Sequence, residues 1–109
     1  MKWTITYFDH GVFNSIMALP IKLKARFVAL TERIEELGPN LGMPHTRAMG
    51  DGLFEIRVKA NEGISRILYC VSVGYKIVIL HVFIKKTQET PKKELDIARK
   101  RQKKVNKNE

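Results

Sequence analysis

Arg57, Lys59, Arg66, His81 and Lys85 fall at spacings that a meander of neighbouring strands would bring onto one sheet face, and Lys86 follows directly. Like charges opposed across strands repel, so such a cluster costs stability unless an anion lies on it. Cleavage of RNA by attack of a 2′-hydroxyl on the adjacent phosphate needs three things: a base for that hydroxyl, cations for the developing phosphorane charge, and an acid for the leaving 5′-oxygen. The cluster offers all three. Arg57 and Arg66 are expected to grip the phosphate with planar guanidinium forks. His81 is the member whose side-chain type titrates near neutrality, and as a neutral imidazole it suits a base. Lys85 or Lys86 then serves as proton donor or as an electrostatic partner. Phe83 or Tyr75 offers an aromatic surface for a splayed base, and Lys59 extends the phosphate contacts. The competing reading makes His81 a satisfied structural histidine and pairs Arg57 and Arg66 with Glu55 or Glu62. Two arginines against one nearby acid leave positive charge over, which favours the functional reading.

The composition agrees with a polyanionic partner. The chain has 109 residues, a formal charge of +9 and a sequence pI of about 9.9, which fits one small basic domain and points to nucleic acid, an anionic membrane or an acidic protein. Cys70 is the single cysteine, so no internal disulfide forms, and without a histidine at a recognisable spacing a thiol nucleophile is not expected. No Cys/His cluster has metal-ligand spacing, and neither metal nor cofactor is expected. His10 and His45 have no evident partner. The N-terminus lacks the apolar run of a signal peptide and no stretch is long enough to span a bilayer, so a cytoplasmic, membrane-free protein is expected.

Positioning this chemistry requires a sheet with helices on one face. Residues 3–8 alternate apolar and threonine side chains, the period of a strand. Asp9 can cap a short helix over residues 11–18, and Pro20 suits the first turn of a longer one. Leu23, Phe27, Leu30, Ile34 and Leu37 then form one apolar stripe, with Lys22, Arg26, Glu32, Arg33 and Glu36 off it; Gly38-Pro39 ends it. Because an apolar membrane-binding face is better explained as core, this stripe argues against a peripheral membrane protein. Residues 40–52, rich in Gly and Pro, read as a long loop. Strands are expected at 53–60, 64–72 and 75–84, joined by two-residue turns at Asn61-Glu62 and Val73-Gly74. That register pairs Arg57 with Arg66 and Arg66 with His81. It puts Phe54, Ile56, Val58, Ile67, Tyr69, Val71, Val78, Leu80, Val82 and Ile84 on the core face, and the charged set, with Leu68, Cys70, Ile77 and Ile79, on the other. Thr90 is the expected N-cap and Pro91 the first-turn proline of a basic C-terminal helix, with Leu95, Ala98 and Val105 inward and a tail that frays from about residue 102.

The stretches Gly52-Leu53-Phe54-Glu55-Ile56-Arg57, Arg66-Ile67-Leu68-Tyr69 and Leu80-His81-Val82-Phe83-Ile84-Lys85-Lys86-Thr87-Gln88-Glu89-Thr90-Pro91, with Glu94 and Ala98 beyond, resemble the phage-derived Gp49-like branch of the RelE/HigB toxin superfamily. The most specific piece is Phe-x-Lys-Lys-Thr-Gln-x-Thr-Pro. The resemblance implies a single α+β domain over 1–109 with a RelE-like fold: an antiparallel sheet of about four strands, two N-terminal helices on one face and a C-terminal basic helix. It also implies the toxin of a type II toxin-antitoxin system, a metal-independent endoribonuclease cutting mRNA on the ribosome. Its partners would be a helix-turn-helix antitoxin, mRNA and ribosomal RNA. On this pattern Arg57, Arg66 and Lys85 or Lys86 bind the scissile phosphate, while Lys92, Lys93 and Arg99 on the last helix join Lys59 and Phe83 in contacting RNA. Where superfamily members carry a tyrosine, or acidic and histidine residues, near the start of the final helix, this chain has Thr90, Lys92, Lys93 and Glu94. The alternative is a basic RNA- or ribosome-binding module that does not cut.

Overall fold

The computed structural model describes residues 2–61, 63–84 and 89–107. In chain order the elements are β1 (Thr4–Tyr7), α1 (His10–Met17), α2 (Ile21–Leu37), β2 (Thr46–Gly50), β3 (Leu53–Ala60), β4 (Gly63–Ser72), β5 (Lys76–Ile84) and α3 (Lys92–Lys107). One five-stranded sheet has the order β1-β5-β4-β3-β2. It is mixed rather than antiparallel throughout, because β1 pairs parallel with β5 at one edge. A parallel neighbour needs a long crossover, and the two helices and three strands between β1 and β5 provide it.

Local chemistry explains the first helices. Asp9 caps α1, its carboxylate accepting from the Val12 N–H at 2.8 Å, and Pro20 precedes α2 as its N-cap. Leu23, Phe27, Leu30 and Ile34 are buried as their spacing predicts, whereas Leu37, last in the stripe, is 69% exposed. The helix ends there on Gly38, whose φ of 98° favours glycine. Together α1 and α2 cover one sheet face, over Ile56, Val58, Ile67, Tyr69, Ile77 and Ile79.

The segment 40–52 is not all loop. Thr46–Gly50 forms β2, paired antiparallel with β3. It turns through Gly50, Asp51 and Gly52, all at positive φ, and the Asp-Gly pair is a hairpin signal that the surrounding glycines and prolines obscured. Met49 is an extra residue on β2, since Ala48 pairs with Phe54 but Gly50 with Leu53.

Arg57 does pair with Arg66, but Arg66 pairs with Phe83, not His81. Two one-residue slips account for the change. The β4–β5 turn holds three residues, with Ser72 opposite Lys76 and both Gly74 and Tyr75 at positive φ. A bulge then inserts Leu80, because Tyr69 pairs with Ile79 but Leu68 with His81. A single slip reverses the faces of a strand and a second restores them. Between turn and bulge the expected faces are therefore exchanged: Ile77 and Ile79 join the helix-side core, and Val78 and Leu80 point the other way.

The second face is also no open platform along its whole length. Leu53, Leu68, Cys70, Val78 and Leu80 form a second apolar cluster with Ala98 of α3, flanked by Leu95, Phe83 and Val105. The helix starts after Pro91, whose carbonyl accepts from Glu94 and Leu95, so Thr90 is not the N-cap. Nor does the tail fray from residue 102: α3 continues to Lys107, and Gln102 is buried, donating to the Asp51 carbonyl at 2.7 Å. Carbonyls at both bulges are held by this helix. Arg99 donates to the Met49 and Gly50 oxygens at 2.7 and 2.9 Å, and Arg101 to the Leu80 oxygen at 2.6 Å while lying over the Phe8 ring. Bulges leave polar groups outside the ladder, and α3 satisfies these.

Candidate nucleic-acid interface

Beyond the reach of α3, the same sheet face ends in a cluster of charged side chains. The register sets Arg47 beside Glu55 and Arg57 beside Arg66, all on this face. Glu55 and Arg66 are only 1% and 5% exposed. One Glu55 oxygen accepts from an Arg66 guanidinium nitrogen and the other from the Thr90 hydroxyl. Arg66 was expected as an open phosphate grip and is instead half of a buried ion pair. With both carboxylate oxygens engaged, Glu55 is fixed rather than reactive. The Arg66 Nε is buried with no partner among the described residues.

Arg57 is placed differently. Half-buried, it takes part in no ion pair among the described residues. Its backbone N–H donates to the His45 carbonyl at 3.0 Å, joining the segment before β2 to the β3 edge. A cleft of about 120 Å³ opens there, lined by Met43, Pro44, His45, Thr46, Arg47, Glu55, Arg57 and Arg66. A histidine and two arginines that are in no ion pair among the described residues thus line a small hollow. Cations for a phosphate and an imidazole for proton transfer stand together.

His81 is elsewhere. Its Nε2 lies 3.0 Å from a Glu94 carboxylate oxygen and its ring stacks on Phe83, centroids 5.8 Å apart. It lines a different recess, with Asp9, Ser15 and Arg101. This is the geometry of a histidine that holds α3 to β5. Tyr75 packs edge-on against Trp3 in the β4–β5 turn, far along the sheet from Arg57. Phe83 is partly buried under α3. Arg99 is committed to carbonyls of the β2 turn, while Lys92 and Lys93 are exposed on the first turn of α3, which Thr90 ties to Glu55. Lys59 is exposed on β3 beside Arg57 in a second, larger cleft. Glu62, Lys85 and Lys86 lie outside the described residues. Among the described residues no group of side chains has the make-up of a metal site, and no helix is long and apolar enough to cross a membrane.

The family model described as phage derived protein Gp49-like matches residues 14–103. The chain belongs to the phage-derived Gp49-like family. Its fold is RelE-like: a double arginine-to-alanine variant of the Escherichia coli toxin RelE in the free state superposes with a TM-score of 0.60. That likeness covers 93% of this chain and 98% of the other at 14% identity. No curated protein matches.

For this Gp49-like chain the sequence reading passed over His45 and Arg47. Both sit among the glycines and prolines that disguised β2, and a histidine in an apparent loop has no face to be assigned to. The Gly50-Asp51-Gly52 turn was the available signal: it folds the preceding residues back along β3 and so carries His45 to Arg57.

Proposed function

We propose that this Gp49-like protein is the toxin of a type II toxin-antitoxin pair, an endoribonuclease that cuts mRNA on the ribosome without a metal. The observation that carries the proposal is the small cleft in which His45, Arg47 and Arg57 surround a hollow backed by the buried Glu55–Arg66 pair. Family membership and the RelE-like fold support the same reading. A cognate helix-turn-helix antitoxin, mRNA and ribosomal RNA are the partners, and the cytoplasm is the site of action.

Arg57 and Arg47 hold the scissile phosphate and take up the charge that develops on its non-bridging oxygens. His45, in place of His81, accepts the proton of the 2′-hydroxyl as its oxygen bonds to phosphorus. The phosphorus–5′-oxygen bond breaks, and the leaving oxygen takes a proton from water. A 2′,3′-cyclic phosphate and a 5′-hydroxyl result. Glu55 and Arg66 keep the floor of the cleft rigid, and Lys59, Lys92 and Lys93, with Lys85 and Lys86, supply cationic surface to the rest of the strand.

The sequestering of Arg66 favours a second reading, in which the face binds RNA without cutting it. Purified protein incubated with a translating ribosome and a defined mRNA separates the two. A nuclease yields 5′-hydroxyl fragments, and His45→Ala slows their appearance by about 10²- to 10⁴-fold. Intact mRNA, or an unchanged rate in His45→Ala, overturns the assignment.

A further inference from the structure

The larger cleft, of about 480 Å³, lies between α2 and the edge of β3 and adjoins the small one at Arg57. Four cations line it: Arg26 and Arg33 from α2, Arg57 and Lys59 from β3. Its remaining lining is Ala29, Leu30, Val58, Pro44 and His45, with no carboxylate. Among the described residues none of the four cations is in an ion pair. Arg26 and Arg33 are two helical turns apart, about 10 Å at 1.5 Å per residue, with the apolar Ala29 and Leu30 between them. Past Arg57, whose N–H the His45 carbonyl takes up, β3 has no β2 partner, because β2 begins opposite Ile56.

Pro44, His45 and Arg57 line both clefts, so a chain held in one continues into the other. We infer that the α2–β3 cleft is an accessory RNA subsite, which takes a nucleotide flanking the scissile phosphate as the strand crosses the β3 edge. The apolar floor receives the base, and Arg26 and Arg33 meet the phosphates on either side of it. Apart from His45, which it shares with the small cleft, the lining has no aromatic side chain and no carboxylate or amide, so it holds the strand mainly through phosphate contacts and with little sequence preference. An acidic peptide, such as an antitoxin segment, is the competing occupant. Continuity with the phosphate-binding hollow favours RNA.

The inference rests on the nuclease reading, and one titration separates the failure of each. A fluorescein-labelled hexanucleotide of single-stranded RNA, 2′-O-methylated so that it cannot be cut, is titrated with the full chain at several salt concentrations. Arg26 and Arg33 are exposed, so the Arg26→Ala/Arg33→Ala double variant should fold, as its thermal melt will show. Lys103→Ala/Lys104→Ala, which removes the same charge from an exposed part of α3, is the control. The subsite predicts about tenfold or greater weakening in the arginine variant, with the slope of log affinity against log salt reduced by about 1.4 for two lost single-strand phosphate contacts. The lysine variant should weaken less than about threefold by the same electrostatic argument. Equal weakening in both variants, or none in either, overturns the subsite. So does an arginine variant that binds RNA normally but no longer holds its antitoxin, which would make the cleft a peptide site. If the wild-type chain neither binds the hexanucleotide nor cuts mRNA, the nuclease reading itself is lost.

Discussion

Arg57 and Arg66 stand opposite one another on β3 and β4, and their surroundings give their removal different consequences. Arg66→Ala leaves the Glu55 carboxylate buried without its cation, which costs about 3–5 kcal/mol, and thermal denaturation should show it as a fall in Tm. Removing both partners should cost less than the sum of the single changes, the mark of a coupled pair. Arg57→Ala leaves no buried charge behind, so its Tm should stay within the scatter expected for surface changes, about 0.5 kcal/mol. Its cleavage rate should nonetheless fall by about 10²- to 10³-fold. The residue types needed for the chemistry were legible in the sequence, and so was the Arg57–Arg66 pairing. What could not be read was which arginine is free. That depends on Glu55 pointing inward beneath Thr90, a contact between residues 35 positions apart. The placement of the two histidines was hidden for a related reason, because it turns on a hairpin that carries His45 to Arg57 and a bulge that sets His81 beside Glu94 rather than on local pattern.

Helices α1 and α2 and strands β3 to β5 follow from periodicity and turn residues within a position or two. The bulges do not, since the carbonyl each releases is satisfied by an element distant in sequence. Arg101 does this for Leu80, and Arg99 for Met49 and Gly50. A basic helix therefore reads as a nucleic-acid contact while two of its arginines serve the fold. Substituting Arg101 by alanine should cost about 1–3 kcal/mol through the unsatisfied carbonyl. Amide exchange should then accelerate in β5 around Leu80 and in α3 together. Leu80→Ala tests the second core directly, with an expected loss of about 2–5 kcal/mol in denaturant unfolding. Had Leu80 faced α1 and α2, as the shorter turn implied, α3 would exchange no faster in that variant.

The whole molecule is a sheet held between two helical layers, and each layer leaves part of the sheet to solvent where the cations gather. Tyr69 contributes to its alkaline limit. Burial raises this phenol above its ordinary value of 10, and its hydroxyl donates to the Pro39 carbonyl. The folded state therefore holds the proton more tightly than the unfolded chain does. The resulting stability is complete below about pH 10 and is lost as the pH climbs above it. Tyr69→Phe should flatten the fall in Tm over that range. Function at this scale depends on whether the open cationic end cuts RNA in a cell, and mapping of mRNA 5′ ends after induced expression is the most direct test. The account predicts new 5′-hydroxyl ends in phase with codons inside translated regions, absent when Arg57→Ala is expressed at the same level. Growth arrest with intact transcripts, or the same cuts from the Arg57→Ala protein, would contradict it.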